Sequence, residues 1–216
     1  MRKSKSIFVT FEGIEGSGKS FQSKKLYKSL VKRNIPVTLT REPGGSPSAE
    51  KIRQLILKDY FHPKLKEKFN KYTDTLLYLA ARNEHIQHKI KPAISKKHNV
   101  ICDRFVDSTT AYQVYGKKVN KNLIDSVHKH ILKSITPDLT FILTVNITKA
   151  MLRLKKRKKK NRYDKFSKNF YNQVQKAFKL IAKKNKKRYF LIDNSKDSKE
   201  VEKLILNRFL KAINKK

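Results

Sequence analysis

Apolar residues alternate along the chain between two rhythms. Short dense runs, "SIFVTF" (6–11), "IPVTLT" (35–40), "NVICD" (99–103), "TFILTV" (140–145) and "RYFLID" (188–193), read as strands buried on both faces. Between them, apolar positions recur at three- and four-residue spacing, as in "SKKLYKSLVKRN" with Leu26, Leu30 and Val31. The pattern predicts strands at 6–12, 35–42, 99–104, 137–145 and 188–193. It predicts helices from the first glycine-rich loop to about 34, over 48–57 with Ser48 as a partial N-cap, and over 70–90, stopping near Pro92. Further helices are expected over 123–132, from 149 into a charge run, over 168–185 and over 199–213. The stretch 59–70 is charged and poorly patterned and reads as connecting structure. In the 70–90 helix the core stripe is Tyr72, Leu76, Leu79, Ile86 and Ile90, while Tyr78 and Arg82 share a different face. Five strands alternating with helices predict an α/β fold, a doubly wound five-stranded parallel sheet with helices on both faces. Ligands of such sheets bind beyond the carboxyl ends of the strands.

Composition narrows the setting. At 216 residues, with no Gly/Ser/Pro-rich linker, the chain is expected to form one domain over 1–216. Its single cysteine, Cys102, rules out an intrachain disulfide and reads as a buried thiol. No apolar run approaches the roughly 20 residues of a membrane span. "MRKSKS" leads into the first strand with no cleavage-site pattern, so a soluble, reducing, cytoplasmic setting without a membrane partner is expected. The net charge of +36 raises nucleic acid as a partner. The lysines are spread over almost every segment, however, and form no stripe, so compositional drift on solvated faces is preferred. Against that background the positions that remain arginine are informative, because a guanidinium grips phosphate with a planar fork and an ammonium does not. Arg41, Arg53, Arg82, Arg104, Arg153, Arg157 and Arg162 fall in segments that look chemical on other grounds.

The most specific signal is "GIEGSGKS" (13–20), which has the spacing G-x-x-x-x-G-K-[ST] between a strand and a helix. Such a loop turns successive backbone N–H groups toward an anion at a helix N-terminus. Lys19 can reach terminal phosphates, and the Ser20 hydroxyl can ligate Mg²⁺. Three weaker signals follow. "TREPGG" (40–45) puts Arg41 at a strand end, where it can hold a phosphate or simply pair with an acid. Tyr78 and Arg82 can stack a base and bond its edge, or simply pack. In "CDRFVDSTTAYQ" (102–113), Asp103 resembles a carboxylate that holds Mg²⁺ through water, or is one half of an ion pair with Arg104. Arg104, Ser108 and Tyr112 are spaced to line one wall.

"FEGIEGSGKS", "TREPGG", "LLYLAAR", "CDRFVDSTTAYQ" and "TPDLTFILTV" occur in this order, and together they closely resemble the bacterial thymidylate kinases over roughly residues 7–193. The resemblance implies a P-loop NTPase-type fold with a short lid at about 153–165, and transfer of the ATP γ-phosphoryl to dTMP. It implies that Gly13, Ile14, Glu15, Gly16, Ser17, Gly18, Lys19 and Ser20 bind ATP. Arg41, Arg53 and Arg104 would hold the dTMP phosphate, Tyr78 would stack on thymine, and Arg82 would bond a carbonyl edge. Ser108, Thr109, Tyr112 and Gln113 would face the base and sugar, with Glu15 near the sugar or the metal. Ser20 and Asp103 would place Mg²⁺. Some members carry an arginine at the position of Gly16; others supply lid arginines instead. This chain resembles the second type, with Lys19, Arg162, Arg157 and Arg153 as the catalytic set, although its lid is crowded with lysines and has Asn161 where aspartate is usual. A homodimer is implied by the family alone. The alternatives are a kinase for another nucleoside monophosphate and a basic P-loop protein that binds nucleic acid.

Overall fold

The computed structural model describes residues 6–57, 68–158, 162–196 and 198–214. The expected connecting stretch over 59–70 lies mostly outside the described residues, as does Asn161. Five parallel strands form one sheet: β1 (Phe8–Glu12), β2 (Val37–Arg41), β3 (Asn99–Asp103), β4 (Leu139–Thr144) and β5 (Tyr189–Asp193), in the order β2-β3-β1-β4-β5. The chain leaves β1 toward β2 and later crosses back to β4. Connections therefore diverge at β1, and a crevice opens beyond its carboxyl end.

Alternation along the strands builds the two sides. Ile7, Val9 and Phe11 pack with Phe141, Leu143, Leu26, Leu30 and Phe209, beneath α1 (Lys19–Val31) and α9 (Lys199–Asn214). On the opposite face Phe8, Val100 and Cys102 meet Phe105, Ile86 and Ile90. Ile142 on that face joins a larger cluster with Tyr112, Tyr171 and Phe178. Each side chain of this size contributes about 1.5–3 kcal/mol when fully buried. The cap residues are local: Asn70 accepts from the Tyr72 N–H at the start of α3 (Lys71–His85), and Asn120 from Asn122 at the start of α6 (Lys121–Leu132). Asn146 and Ser167 do the same for α7 (Ile147–Lys155) and α8 (Lys168–Lys184). Among the described residues, no helix is long and apolar enough to cross a membrane.

Four local expectations are corrected. First, α2 (Pro47–Leu57) begins earlier than predicted; the Ser46 Oγ receives the Ala49 N–H at 3.4 Å, while Ser48 donates to Glu84 at 2.8 Å. Pro47 takes the first helical position, where its missing N–H costs nothing. Second, the long helix does not stop at Pro92. One π-helical turn (Ile86–Ile90) widens it, and α4 (Lys91–Ser95) continues with the proline in its first turn, again where no donor is needed. Third, Tyr72 and Leu76 are not core: they are 40% and 49% exposed, and Asp74, Thr75 and Arg82 are buried instead. The later members of the predicted stripe, Leu79, Ile86 and Ile90, are buried as expected; only its first two members turn away from the core. Fourth, residues after β3, left unassigned by periodicity, form α5 (Val106–Thr109) and a π-helical segment (Thr110–Gly116).

Candidate active site

A cavity of about 410 Å³ lies beyond the carboxyl ends of β1, β2 and β3. One wall is the glycine loop. Gly18 takes φ 89° at the N-cap of α1 with no side-chain cap, which leaves the first helical N–H groups turned toward the loop. Lys19 is nearly buried and donates from Nζ to the Ile14 carbonyl at 2.6 Å. Burial, then the charge of Arg104, lowers its pKa to about 8. Glu15, Gly16, Gly18, Lys19 and Ser20 face the cavity; Gly13, Ile14 and Ser17 form the back of the loop. At Gly16 the φ is 73°, and a Cβ there would stand 2.7 Å from the Ala150 carbonyl oxygen of α7. The loop is therefore closed against any side chain at that position.

The Ser20 hydroxyl donates to the Asp103 carboxylate, and both groups border the cavity. Two hard oxygen donors at a phosphate loop fit Mg²⁺, which takes one or two protein ligands and completes its shell with phosphate and water. Among the described residues there is no cluster of three or more metal-ligating side chains elsewhere.

Arg104 leaves β3 with φ 72° and is pinned from several sides. It donates to the Gly13 carbonyl at 2.9 Å, to Ser108 Oγ at 3.0 Å and to Glu15 at 2.9 Å, and lies over the Tyr112 ring. Tyr112 in turn donates to Glu15. Burial opposes the Arg104 charge, but Tyr112, Glu15 and Asp103 outweigh it and raise its pKa. Behind this group sits Glu12, fully buried, which accepts from the Phe105 N–H at 2.8 Å and from Ser108 at 2.5 Å. Burial and then Asp107 push its pKa from an ordinary 4.5 up to about 8. The folded protein thus keeps a proton on Glu12 that the unfolded chain loses above about pH 4.5. Stability from this group is complete below that pH and is lost as pH climbs toward 8. Melting temperatures measured from pH 5 to 8 should fall less steeply for Glu12→Gln than for the unmodified protein; parallel slopes would contradict this origin.

The facing walls come from α2, α3 and the segment after β3. Arg41 and Arg53 flank Glu50 at the mouth: Arg41 bonds it at 3.2 Å, and Arg53 donates to the Pro43 carbonyl at 2.6 Å. Tyr78, Thr109 and Gln113 also line the cavity. Arg82 is 2% exposed and lies in a buried network whose pairing the motifs did not predict. Its Nε donates to Glu42 at 2.8 Å, and its Nη1 to Thr109 at 2.8 Å. His85 bonds the other Glu42 oxygen at 3.0 Å and Thr40 at 2.6 Å. Burial works to raise the Glu42 carboxyl, but Arg82 and His85 prevail and hold it below the usual range. Gly45, at φ 91°, passes so close that a Cβ would stand 2.5 Å from the His85 ring.

The three lid candidates separate. Arg153 lines the cavity and donates to the Gly16 carbonyl at 2.9 Å and to the carbonyls of Asn194 and Ser195. Arg157 also lines it and pairs with Asp164 at 3.1 Å. Arg162 does not border the cavity: it bonds the buried Asp74, which also takes Lys117 at 2.5 Å, and lies over Tyr163. Besides this network, the motif reading did not identify Glu12, Asp74 or Tyr163. Glu12 and Glu42 lay inside quoted motifs; nothing in the sequence pattern marked the others.

Fold and cavity together define a P-loop nucleotide-binding protein with a second, arginine-lined compartment beside the loop. The family profile described as "Thymidylate kinase" matches residues 11–205. A thymidylate kinase of Mycoplasma capricolum subsp. capricolum is 41% identical over 197 residues, covering 90% of each chain. One from Wolbachia sp. subsp. Brugia malayi is 40% identical over 206 residues, covering 94% of this chain and 95% of its own. The crystal structure of thymidylate kinase from Ehrlichia chaffeensis superposes with a TM-score of 0.73 at 34% identity, covering 94% of this chain and 98% of that one. The chain belongs to the thymidylate kinase family.

Proposed function

We propose that this protein transfers the γ-phosphoryl group of ATP to dTMP, giving ADP and dTDP, as a step in dTTP supply. The observation that carries the reading is one continuous cavity. It joins Lys19 and Ser20 on one wall to Tyr78, Arg82 and Arg104 on the other. Neither a different acceptor nor nucleic acid is favoured over this.

In this reading the glycine loop cradles ATP; Ser20 and Asp103 would hold Mg²⁺, which would supply neutralisation of phosphate charge. Arg41, Arg53 and Arg104 take the dTMP phosphate. The guanidinium of Arg104 is held beside the loop by Gly13, Glu15 and Ser108, and takes the phosphate through its Nε hydrogen or by exchanging one of those bonds. Glu15 and Tyr112 close around the sugar, and Tyr78 stacks on the base with Ser108, Thr109 and Gln113 beside it. The acceptor phosphate oxygen is itself a nucleophile, so no general base is nominated; positioning and charge stabilisation supply the rate. Segment 153–165 acts as the lid of a single catalytic domain. Arg157 faces the transferred group, Arg153 ties α7 to the glycine loop, and Arg162 latches the lid to α3 through Asp74. The closed backbone at Gly16 supports a lid rather than a loop arginine. We read the protein as a cytoplasmic homodimer. Leu55 on α2 and Tyr72 and Leu76 on α3, exposed on two helices that pack together, support a partner surface there.

Acceptor choice tests the reading. Stacking on Tyr78 cannot choose among pyrimidines. Arg82 has donors only, which suit the O4 of thymine or uracil but not the amino group of cytosine. Tyr112 closes the space where a 2′-hydroxyl must fit, and an unpaired polar group there costs about 1–3 kcal/mol. At one ATP concentration the expected order is dTMP, then dUMP, with UMP and CMP far behind. Equal turnover of CMP or UMP defeats the assignment of acceptor.

A further inference from the structure

The orientation of Arg82 is fixed in part by a helix that carries none of the site motifs. α6 packs against α3, and its His128, 9% exposed, places Nε2 2.8 Å from Arg82 Nη1. An arginine only donates, so Nε2 accepts and the imidazole proton sits on Nδ1. Glu42 takes the Nε hydrogen, and its Oε2 also lies 2.7 Å from Nη2 as an ion pair. Thr109 and His128 take the two on Nη1. Three of the five guanidinium hydrogens are thus held by hydrogen bonds, and the two on Nη2 remain beside the Glu42 carboxylate.

We infer that His128 is a positioning residue for recognition of the acceptor base: as a neutral acceptor on Nη1 it fixes the Arg82 plane so that the Nη2 edge is presented to the base. The inference rests on the reading that Arg82 faces the base. A fixed donor edge is satisfied by a carbonyl oxygen at the 4-position and opposed by an amino group. Without an acceptor at 128, one Nη1 hydrogen is left in a buried site with no partner. The guanidinium then turns to recover that bond, and the angle that rejects an amino group is lost. His128 stays an acceptor at any working pH, because burial and then the charges of Arg82 and Lys121 lower its pKa to about 3.

The test compares the unmodified protein with His128→Phe and His128→Gln, using dTMP and dCMP as acceptors at saturating ATP. His128→Phe should raise the KM for dTMP about tenfold and cut the dTMP:dCMP ratio of kcat/KM by about the same factor. kcat and the KM for ATP should hold. His128→Gln, whose amide oxygen can accept, should restore most of the ratio. His128→Asn, too short to reach, carries the phenylalanine expectation should the larger ring not pack. An unchanged ratio in a folded His128→Phe or His128→Asn protein overturns the inference, as does a glutamine variant no better than phenylalanine, which would make the effect one of packing. If the unmodified protein shows no preference for dTMP over dCMP, the reading of Arg82 fails first, and the inference with it.

Discussion

Lys19→Ala should lower kcat by a factor of about 10²–10³ or more, with no loss of thermal stability. The ammonium lies folded into the glycine loop, on the Ile14 carbonyl, at a position that borders the cavity. When a nucleotide enters, its phosphates are a better partner than one carbonyl, and the charge acts most strongly where negative charge builds up on the moving phosphoryl. Burial works against that ammonium and lowers its pKa to about 8. Removing it gives up the hydrogen bond to the Ile14 carbonyl but no ion pair, and it also relieves the burial of a charge, so the two effects offset. Steady-state rates and a melting curve on the same sample check both halves. A folded variant with near-normal turnover would remove the loop lysine from the mechanism.

Arg157→Ala and Arg162→Ala should fail in different ways. Arg157 borders the cavity on a half-exposed side chain, so its loss should reduce kcat by about 10²-fold; it also removes a partner from Asp164, whose side chain is 1% exposed, so stability should fall as well, by about 1–3 kcal/mol. Arg162 serves Asp74, a carboxylate only 1% exposed. Its loss leaves that carboxylate to Lys117 and Tyr163, and should cost about 1–3 kcal/mol of stability with a smaller loss of rate. Rates and melts of the two variants, measured side by side, check the assignment. If Arg162→Ala loses turnover at full stability while Arg157→Ala is unaffected, the roles are reversed.

The parts of the fold that were legible in the sequence are those held by local or strictly periodic forces. β1, the glycine loop and α1 follow from one apolar run, one glycine spacing and one helical stripe. The alternation of strand and helix was enough to predict a five-stranded parallel sheet, and its crevice is where the motif residues gather. Arg104, Ser108 and Tyr112 do form one wall, as their spacing suggested. What stayed hidden depends on partners far apart in the chain. Arg82 was read as bonding a base edge or simply packing, and nothing in its motif showed that its fork is partly taken by Glu42, forty positions earlier, and His128, forty-six positions later. Arg162 looked like the foremost lid arginine until Asp74, eighty-eight positions away, claimed it. Tyr72 and Leu76 misled because periodicity reports a stripe without saying what covers it. Pro92 misled because it stands in the first turn of the α-helical segment that follows a π-helical turn, where proline is tolerated.

The central claim is that the phosphoryl group leaving ATP arrives on dTMP. It is tested most directly by incubating the purified protein with γ-labelled ATP, Mg²⁺ and dTMP, separating the products, and following the label. The account predicts labelled dTDP, one ADP formed for each dTDP, little label released as inorganic phosphate, and no transfer by the Lys19→Ala protein. Label appearing as inorganic phosphate at the same rate with and without dTMP, and no dTDP, would contradict it.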